Sequence, residues 1–387
     1  MLRLTSLVIL MGVLKISHGQ SAKPINVVTS AVPFLRISPD ARSGGMGDVG
    51  IATIPDANSS FWNVAKLPFA TNNAGISATY TPWLHDLGLN DVYLASLAGY
   101  FKLDELQALS ASLRYFSLGN IQFTDANGTA LQTFRPREFA FDAGYSRKLS
   151  KSQSIGVALR YINSQLAKGD PNNSGTIYKA GSSVAGDIHY FSNGVKANGE
   201  GFSWGVTLSN LGAKIGYTSN NTQKDFLPAN FGIGGAYTKA FDGDNKVTFG
   251  LDLNKLMVPT PPSTFDSASL VKYRSKGVVG SWFGSFTDGE DIQELQISVG
   301  AEYWYKNQFA LRLGYFYENP TKGDRKYFTA GAGFKYNVLG LNFSYLLPSG
   351  SGVNRNPLSN TIRFSLIFDI EKEAKPIDKT KTKVITK

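Results

Sequence analysis

The sequence predicts an all-β protein, a 14-stranded antiparallel transmembrane β-barrel closed by an N-terminal hatch or plug segment. Three observations predict it. From residue 72 onward, apolar and polar residues alternate at period two rather than 3.6. The segments that alternate are separated by links of alternately short and long length. Charged residues make up only 18% of the 387-residue chain while aromatics reach 12%, a balance that suits a sheet whose outer face meets something less polar than water.

The N-terminus comes first. Arg3, an apolar run from Leu7 to Leu14, and the small residues Ser17 and Gly19 ahead of Gln20 read as a cleaved signal peptide over residues 1–19. Lys15 interrupts the far end of the apolar run, which argues against a membrane anchor. The chain has no cysteine, so lipid anchoring, a disulfide scaffold and cysteine-ligated metal are excluded. No later stretch offers the 18 or more apolar residues of a spanning helix. An exported protein of this kind enters a membrane only as a closed sheet, because closure alone satisfies every backbone group there.

Residues 20–71 precede the first strand. Within them Gly45-Met46-Gly47-Asp48-Val49-Gly50 fits the glycine fingerprint of dinucleotide-binding enzymes. Its context fails: Pro33 and Pro39 break the preceding stretch, and Pro55 with Asp56-Ala57-Asn58-Ser59-Ser60 stops any helix after it. The glycines therefore need another role, and tight packing of a plug against a barrel wall supplies one.

Fourteen strands are expected near 73–81, 91–102, 107–118, 137–148, 153–165, 180–191, 202–211, 228–240, 246–255, 292–304, 308–318, 326–336, 338–347 and 360–370, so that the barrel runs over 72–370. In the ninth, Val247, Phe249, Leu251 and Leu253 share one face, and Thr248, Gly250, Asp252 and Asn254 share the other. Arg114, Asp142, Arg160, Asp187, Glu302, Arg312 and Arg363 likewise stand opposite apolar faces. A soluble sandwich would show the same alternation. The strand number and length, and the crowding of Tyr303, Trp304, Tyr305, Tyr315 and Tyr317 at strand ends, favour the barrel. A charged lumen must hold water or a plug.

Short links such as 103–106 and 306–308 are expected on the periplasmic rim, and long links such as 119–136, 212–227 and 256–291 outside the cell. An even strand count returns the C-terminus to the side where the barrel begins, so both termini are expected in the periplasm. Residues 371–387 form a basic tail, solvated and flexible in composition. The formal charge of +10 is scattered elsewhere along the chain, which argues against nucleic acid as a partner.

No catalytic constellation emerges. His18 falls in the signal peptide, His85 in a loop and His189 on a strand, where Asp187 makes it an interior polar pair; Glu290-Asp291 lie in the longest loop. The chain therefore reads as a non-enzyme with no cofactor and no metal. In the 256–291 loop, Pro259, Pro261, Pro262 and Phe265 form a stiff extended lead, and Trp282, Phe283 and Phe286 are expected as exposed contact anchors for a partner. The competing expectation is that this loop folds down over its own barrel.

Residues 37–67 resemble the N-terminal hatch of the FadL-like outer-membrane barrels. The resemblance rests on Ala41 and Arg42, Gly44, Gly45, Gly47 and Gly50, the Asp56–Ser59 stretch with Asn58, and Trp62-Asn63-Val64-Ala65-Lys66-Leu67. Val64 stands where that superfamily usually has proline. Within it, the chain looks most like the PorV family, also called LptO, of the type IX secretion system of Bacteroidetes. That resemblance implies an outer-membrane protein that binds the C-terminal signal domains of secreted cargo. The implied partners are the large translocon barrel, the cargo itself, a sortase-like surface attachment complex, and membrane lipid or lipopolysaccharide. The alternatives are a FadL-like channel for hydrophobic small molecules such as fatty acids, and an enzyme acting on lipopolysaccharide.

Overall fold

A computed structural model describes residues 27–84, 88–125, 127–171, 173, 175–220, 223–262, 266–287, 292–347 and 360–370. The signal peptide, the basic tail, His85, Phe265, Glu290 and Asp291 lie outside the described residues. The strands in chain order begin with β1 (Ala74–Pro82), β2 (Val92–Lys102), β3 (Gln107–Leu118), β4 (Ile121–Thr124), β5 (Ala130–Phe134) and β6 (Arg137–Lys148). Then come β7 (Gln153–Gln165), β8 (Gly181–Asn193), β9 (Gly201–Gly212), β10 (Ile215–Gly216), β11 (Lys224–Asp225) and β12 (Asn230–Ala240). The last are β13 (Asn245–Leu256), β14 (Leu295–Tyr305), β15 (Phe309–Tyr317), β16 (Lys326–Tyr336), β17 (Leu339–Leu347) and β18 (Ile362–Ile370).

Fourteen of these close into one barrel, each antiparallel to its neighbours, with β1 pairing β18 through Gly75–Asp369 and Thr79–Ser365. The predicted strands correspond to these one for one, with ends within three residues. The four remaining strands make two small hairpins, β4–β5 and β10–β11, inside long links where the sequence reading expected only loop. Closure satisfies the backbone of every barrel strand without an edge, as a bilayer requires.

Alternation sets the two faces. On β13, Phe249 and Leu251 are exposed on the outer wall while Thr248 and Asp252 are buried inside. Arg114, Asp142, Arg160, Asp187, Glu302, Arg312 and Arg363 are all buried inside the barrel. Four of them pair across neighbouring strands: Asp142 stands opposite Arg160, and Glu302 opposite Arg312. Arg160 also reaches Asp187 on the next strand at 2.9 Å. There the β8–β9 register slips, and Asp187 accepts the backbone N–H of Asn210 at 2.7 Å, so the bulge is held by a side chain. Short links turn tightly: Lys306 and Asn307 both have φ of 53°, the twist that suits a two-residue hairpin.

Residues 27–72 fill the interior. They bond to the wall at His189 on β8 and at Thr329 on β16, six strands away around the closed ring, which a segment inside the barrel can do.

Candidate functional site

The interior segment is built around two short helices, α1 (Ala41–Gly44) and α2 (Ser59–Trp62), too short to persist without the wall. Asp40 caps α1: one carboxylate oxygen accepts the Ser43 N–H at 2.8 Å and the other the Trp62 indole N–H at 2.7 Å, tying the two helices together. Ala41 donates its backbone N–H to Ser365 on β18 at 2.9 Å. After Gly44 and Gly45 the chain turns through Gly47 and Asp48, both at φ of 67°. The Gly47 N–H donates to Thr329 at 2.9 Å, and the N–H groups of Gly50 and Ile51 both donate to Asp252 at 2.7 and 2.9 Å. The amides that a pyrophosphate would need are thus already used by the wall. A Cβ on Gly50 would collide with the Trp62 ring, so that glycine is needed for helix-to-turn packing.

Arg42 is the electrostatic centre. Its guanidinium forks onto Glu302 through Nε at 2.9 Å and Nη2 at 2.8 Å, while Nη1 reaches Asp56 at 2.9 Å and the Ile54 carbonyl at 2.9 Å. Arg312 donates to the same Glu302 at 2.7 Å. Burial alone would lower the Arg42 pKa, but Glu302 and Asp56 outweigh it and hold the guanidinium above its ordinary value. Lys66 lacks such compensation. Burial pushes its ammonium down to about 8, against the pull of Asp56, and it donates to the Gly50 carbonyl at 2.6 Å and Thr53 at 3.2 Å.

The far part of the segment is stapled to the opposite wall. The Asn63 amide donates to the carbonyls of Ile51 and Tyr190 at 3.2 and 3.1 Å, and the Val64 N–H donates to His189 Nδ1 at 2.9 Å. A proline at position 64 has no N–H, so the departure from the superfamily pattern is what lets His189 hold the segment. Asn58 is buried beside α2, its backbone N–H donating to Asp56 at 2.9 Å.

The segment also has a direction that the sequence did not disclose. Val32, Phe34 and Leu35 pack with Trp83, Val92, Phe116 and Ile215, all near the long-link rim, whereas Ala70 accepts from Lys102 at the short-turn rim. The first described residues therefore stand at the rim opposite to β1's start and β18's end. The N-terminus itself and the C-terminal tail lie outside the described residues. Thr29 is exposed there. The chain has no native cysteine, so a Thr29→Cys variant in intact cells should react with a membrane-impermeant maleimide. Labelling only after lysis would place that rim on the periplasmic side instead.

The 256–291 loop folds differently from the extended arm expected. Pro259 and Pro261 are buried and Pro262 half-buried, so the lead lies against the barrel. Two helices follow, α3 (Ser267–Ser275) and α4 (Val278–Gly284). Asp266 caps α3 by accepting the Ser269 N–H at 2.9 Å. Tyr273 packs edge-on against Phe226 and joins a cluster with Val258, Val28 and Val278. Lys214 donates to the last carbonyls of α3, those of Arg274 and Lys276, at 2.6 Å each. The loop is thus latched to its neighbour and to the interior segment. Of the expected anchors, Phe283 is 72% exposed and Phe286 40%, while Trp282 is half-buried. Val279 on α4 is 59% exposed and Val271 on α3 is 56% exposed.

Between this rim and the plug lies a cavity of about 80 Å³, lined among others by Arg114, Arg160, Asn210, Asn230, Asn254 and Ser298. Leu35, Ile37, Ile51, Phe61, Trp62 and Phe316 also belong to its wall, so polar and apolar side chains share it.

Comparison with known proteins agrees with this architecture. The family model described as type IX secretion system protein PorV matches residues 20–263, more than half of the chain. No curated protein matches. Among solved structures, the chain is similar to the toluene transporter TbuX of Ralstonia pickettii, with 11% identity over 86% of this chain and 98% of that one, at a TM-score of 0.50. It is also similar to the monoaromatic hydrocarbon channel CymD, with 10% identity over 87% and 99% of the two chains and a TM-score of 0.50. A Pseudomonas aeruginosa FadL homologue matches over 87% and 99% at 10% identity, with a TM-score of 0.47. At these identities the shared property is the barrel fold.

Proposed function

Because the chain belongs to the PorV family of type IX secretion system proteins, and is an outer-membrane barrel, we propose that it is a non-enzymatic cargo-handling component of that system. In this reading the long-link rim faces the outside of the cell, the short turns and C-terminal tail face the periplasm, and a signal peptide ending at Gly19 directs export. At the outer rim the protein receives secreted cargo by its C-terminal signal domain, beside the large translocon barrel. It then passes the cargo to a sortase-like complex that attaches it to lipopolysaccharide.

The observation that carries the contact surface is the apolar face of α4 and its flanks, raised above a filled barrel. Val279, Phe283 and Phe286 are exposed on a segment held in place by the Tyr273 cluster and the Lys214 latch. Aromatic anchors on a pre-organised element lose little freedom on binding, which makes them strong contact residues. The alternative, a channel for hydrophobic small molecules, needs an apolar way through. The arginine- and asparagine-lined cavity and the plug bonded to opposite walls favour cargo handling instead.

The test is recovery of cargo and translocon with a variant carrying Val279→Asp and Phe283→Asp. Loss of two buried apolar contacts at an interface should weaken association by about 1–3 kcal/mol, or roughly fivefold to 150-fold. Removal of residues 266–287 should abolish it. Unchanged recovery with both variants would remove this loop from the contact surface.

A further inference from the structure

A cavity of about 370 Å³ opens between the plug and the wall at the short-turn rim, away from the proposed cargo surface. Its lining brings four cations, Arg42, Lys246, Arg312 and Lys335, to two carboxylates, Asp56 and Asp369, with Glu302 beneath as the third. Three of the cations are satisfied in pairs: Arg42 and Arg312 on Glu302 with Asp56 alongside, and Lys335 on Asp369 at 2.5 Å. Lys246 is left over. Its ammonium lies 6.0 Å from the centre of the Trp304 ring, and no carboxylate stands within ion-pair distance of it among the described residues. The Arg312 guanidinium lies 5.6 Å from the same ring. Arg312 is 2% exposed, and its Nη2 has no hydrogen-bond partner. One indole therefore has two cations at its side, of which the half-buried Lys246 has no carboxylate partner among the described residues, at the edge of a cavity large enough for a small ligand.

We propose that this cavity binds an oxyanion of the phosphate type, held between Lys246 and Arg312 with the Trp304 ring as its wall. Four cations against three carboxylates leave an excess positive charge at the cavity, which is costly, and one bound phosphate group offsets it through charge-assisted hydrogen bonds. Two sources supply this chemistry at that rim: free inorganic phosphate, and the head group of a phospholipid.

The test uses the full-length protein in a neutral detergent. Tryptophan emission is titrated with inorganic phosphate at constant ionic strength, and separately with monomeric dihexanoyl phosphatidylglycerol, with Trp304→Phe identifying the signal of that ring. The expected result is a saturable change that Trp304→Phe removes. Lys246→Met should weaken it by about tenfold or more, the loss of one charge-assisted contact, and Lys246→Arg should restore it. Lys246 is only half-buried, so its variants should fold, with unchanged melting temperature in the absence of phosphate as the check. Saturation by phosphate assigns the site to the free ion, and saturation by the phosphatidylglycerol alone assigns it to a lipid head group. A response that follows ionic strength only, or that is the same in Lys246→Met, overturns the proposal.

Discussion

Replacing Glu302 with glutamine should release the plug from the barrel wall. The carboxylate takes two hydrogen bonds from Arg42 and one from Arg312, at 2.7–2.9 Å, and is fully buried. Glutamine keeps the size and removes the charge. Two guanidiniums then face each other with only Asp56 to share, and breaking a buried pair from one side costs about 3–5 kcal/mol. The wall itself keeps its backbone pairing, so the loss should fall on docking of the interior segment. In detergent, trypsin should cut the variant after Arg36 or Arg42 under conditions in which the parent is resistant, while the folded barrel band persists on unheated gels. Asp142→Asn is the contrast: it leaves Arg160 with Asp187, both wall residues, and should spare the plug. Continued protection of Arg42 in the Glu302→Gln protein would show that the ion pair does not anchor the segment.

Gly47→Val should prevent correct assembly. Gly47 has φ of 67°, where a β-branched residue is strained, and a Cβ there would sit 2.6 Å from the backbone nitrogen and 2.7 Å from the carbonyl oxygen of Tyr315. Those atoms belong to β15 and are fixed by pairing on both sides. Neither partner can move without opening the barrel. Gly45→Val should be harmful to a smaller degree, since its Cβ would meet Gly331 Cα at 3.1 Å and the Ala41 carbonyl at 3.2 Å with no strain in φ. Gly243→Ala is the control, with nothing within 4 Å of an added Cβ. Outer-membrane yield and heat-dependent gel mobility report the result. Equal yields of folded protein from Gly47→Val and Gly243→Ala would contradict the close approach.

The barrel was legible because each strand must solve the same problem at every second residue. Phe249 and Leu251 meet lipid while Thr248 and Asp252 meet the plug, and that demand writes period two into the sequence. The hatch glycines were legible as well, as a cluster with no strand-turn-helix around it. Their partners were not. Arg42 and Glu302 are 260 residues apart, and linear order carries no sign of which lumen carboxylate a plug residue will meet. The direction of the interior segment was hidden for the same reason, since a chain entering a barrel can run either way past a given wall. The α3 helix went unread because its apolar stripe is short: Leu270 and Tyr273, three residues apart, share a face, while Val271 is exposed and only Tyr273 is buried. A signal for α3 did exist in Asp266-Ser267-Ala268-Ser269, where an acidic cap precedes a helix start. His189 illustrates the limit of residue-type reasoning. Its place beside Asp187 on the lumen face was visible, but its acceptance of the Val64 N–H depends on a proline being absent 125 residues earlier.

The proposed function is that this plugged barrel handles protein cargo at its outer rim and does not conduct small apolar solutes. It is tested most directly by identifying what accompanies the native protein out of the detergent-solubilised outer membrane. The account predicts a much larger barrel and secreted proteins that retain their C-terminal domains. A partner-free monomer that carries fatty acids into lipid vesicles would contradict it.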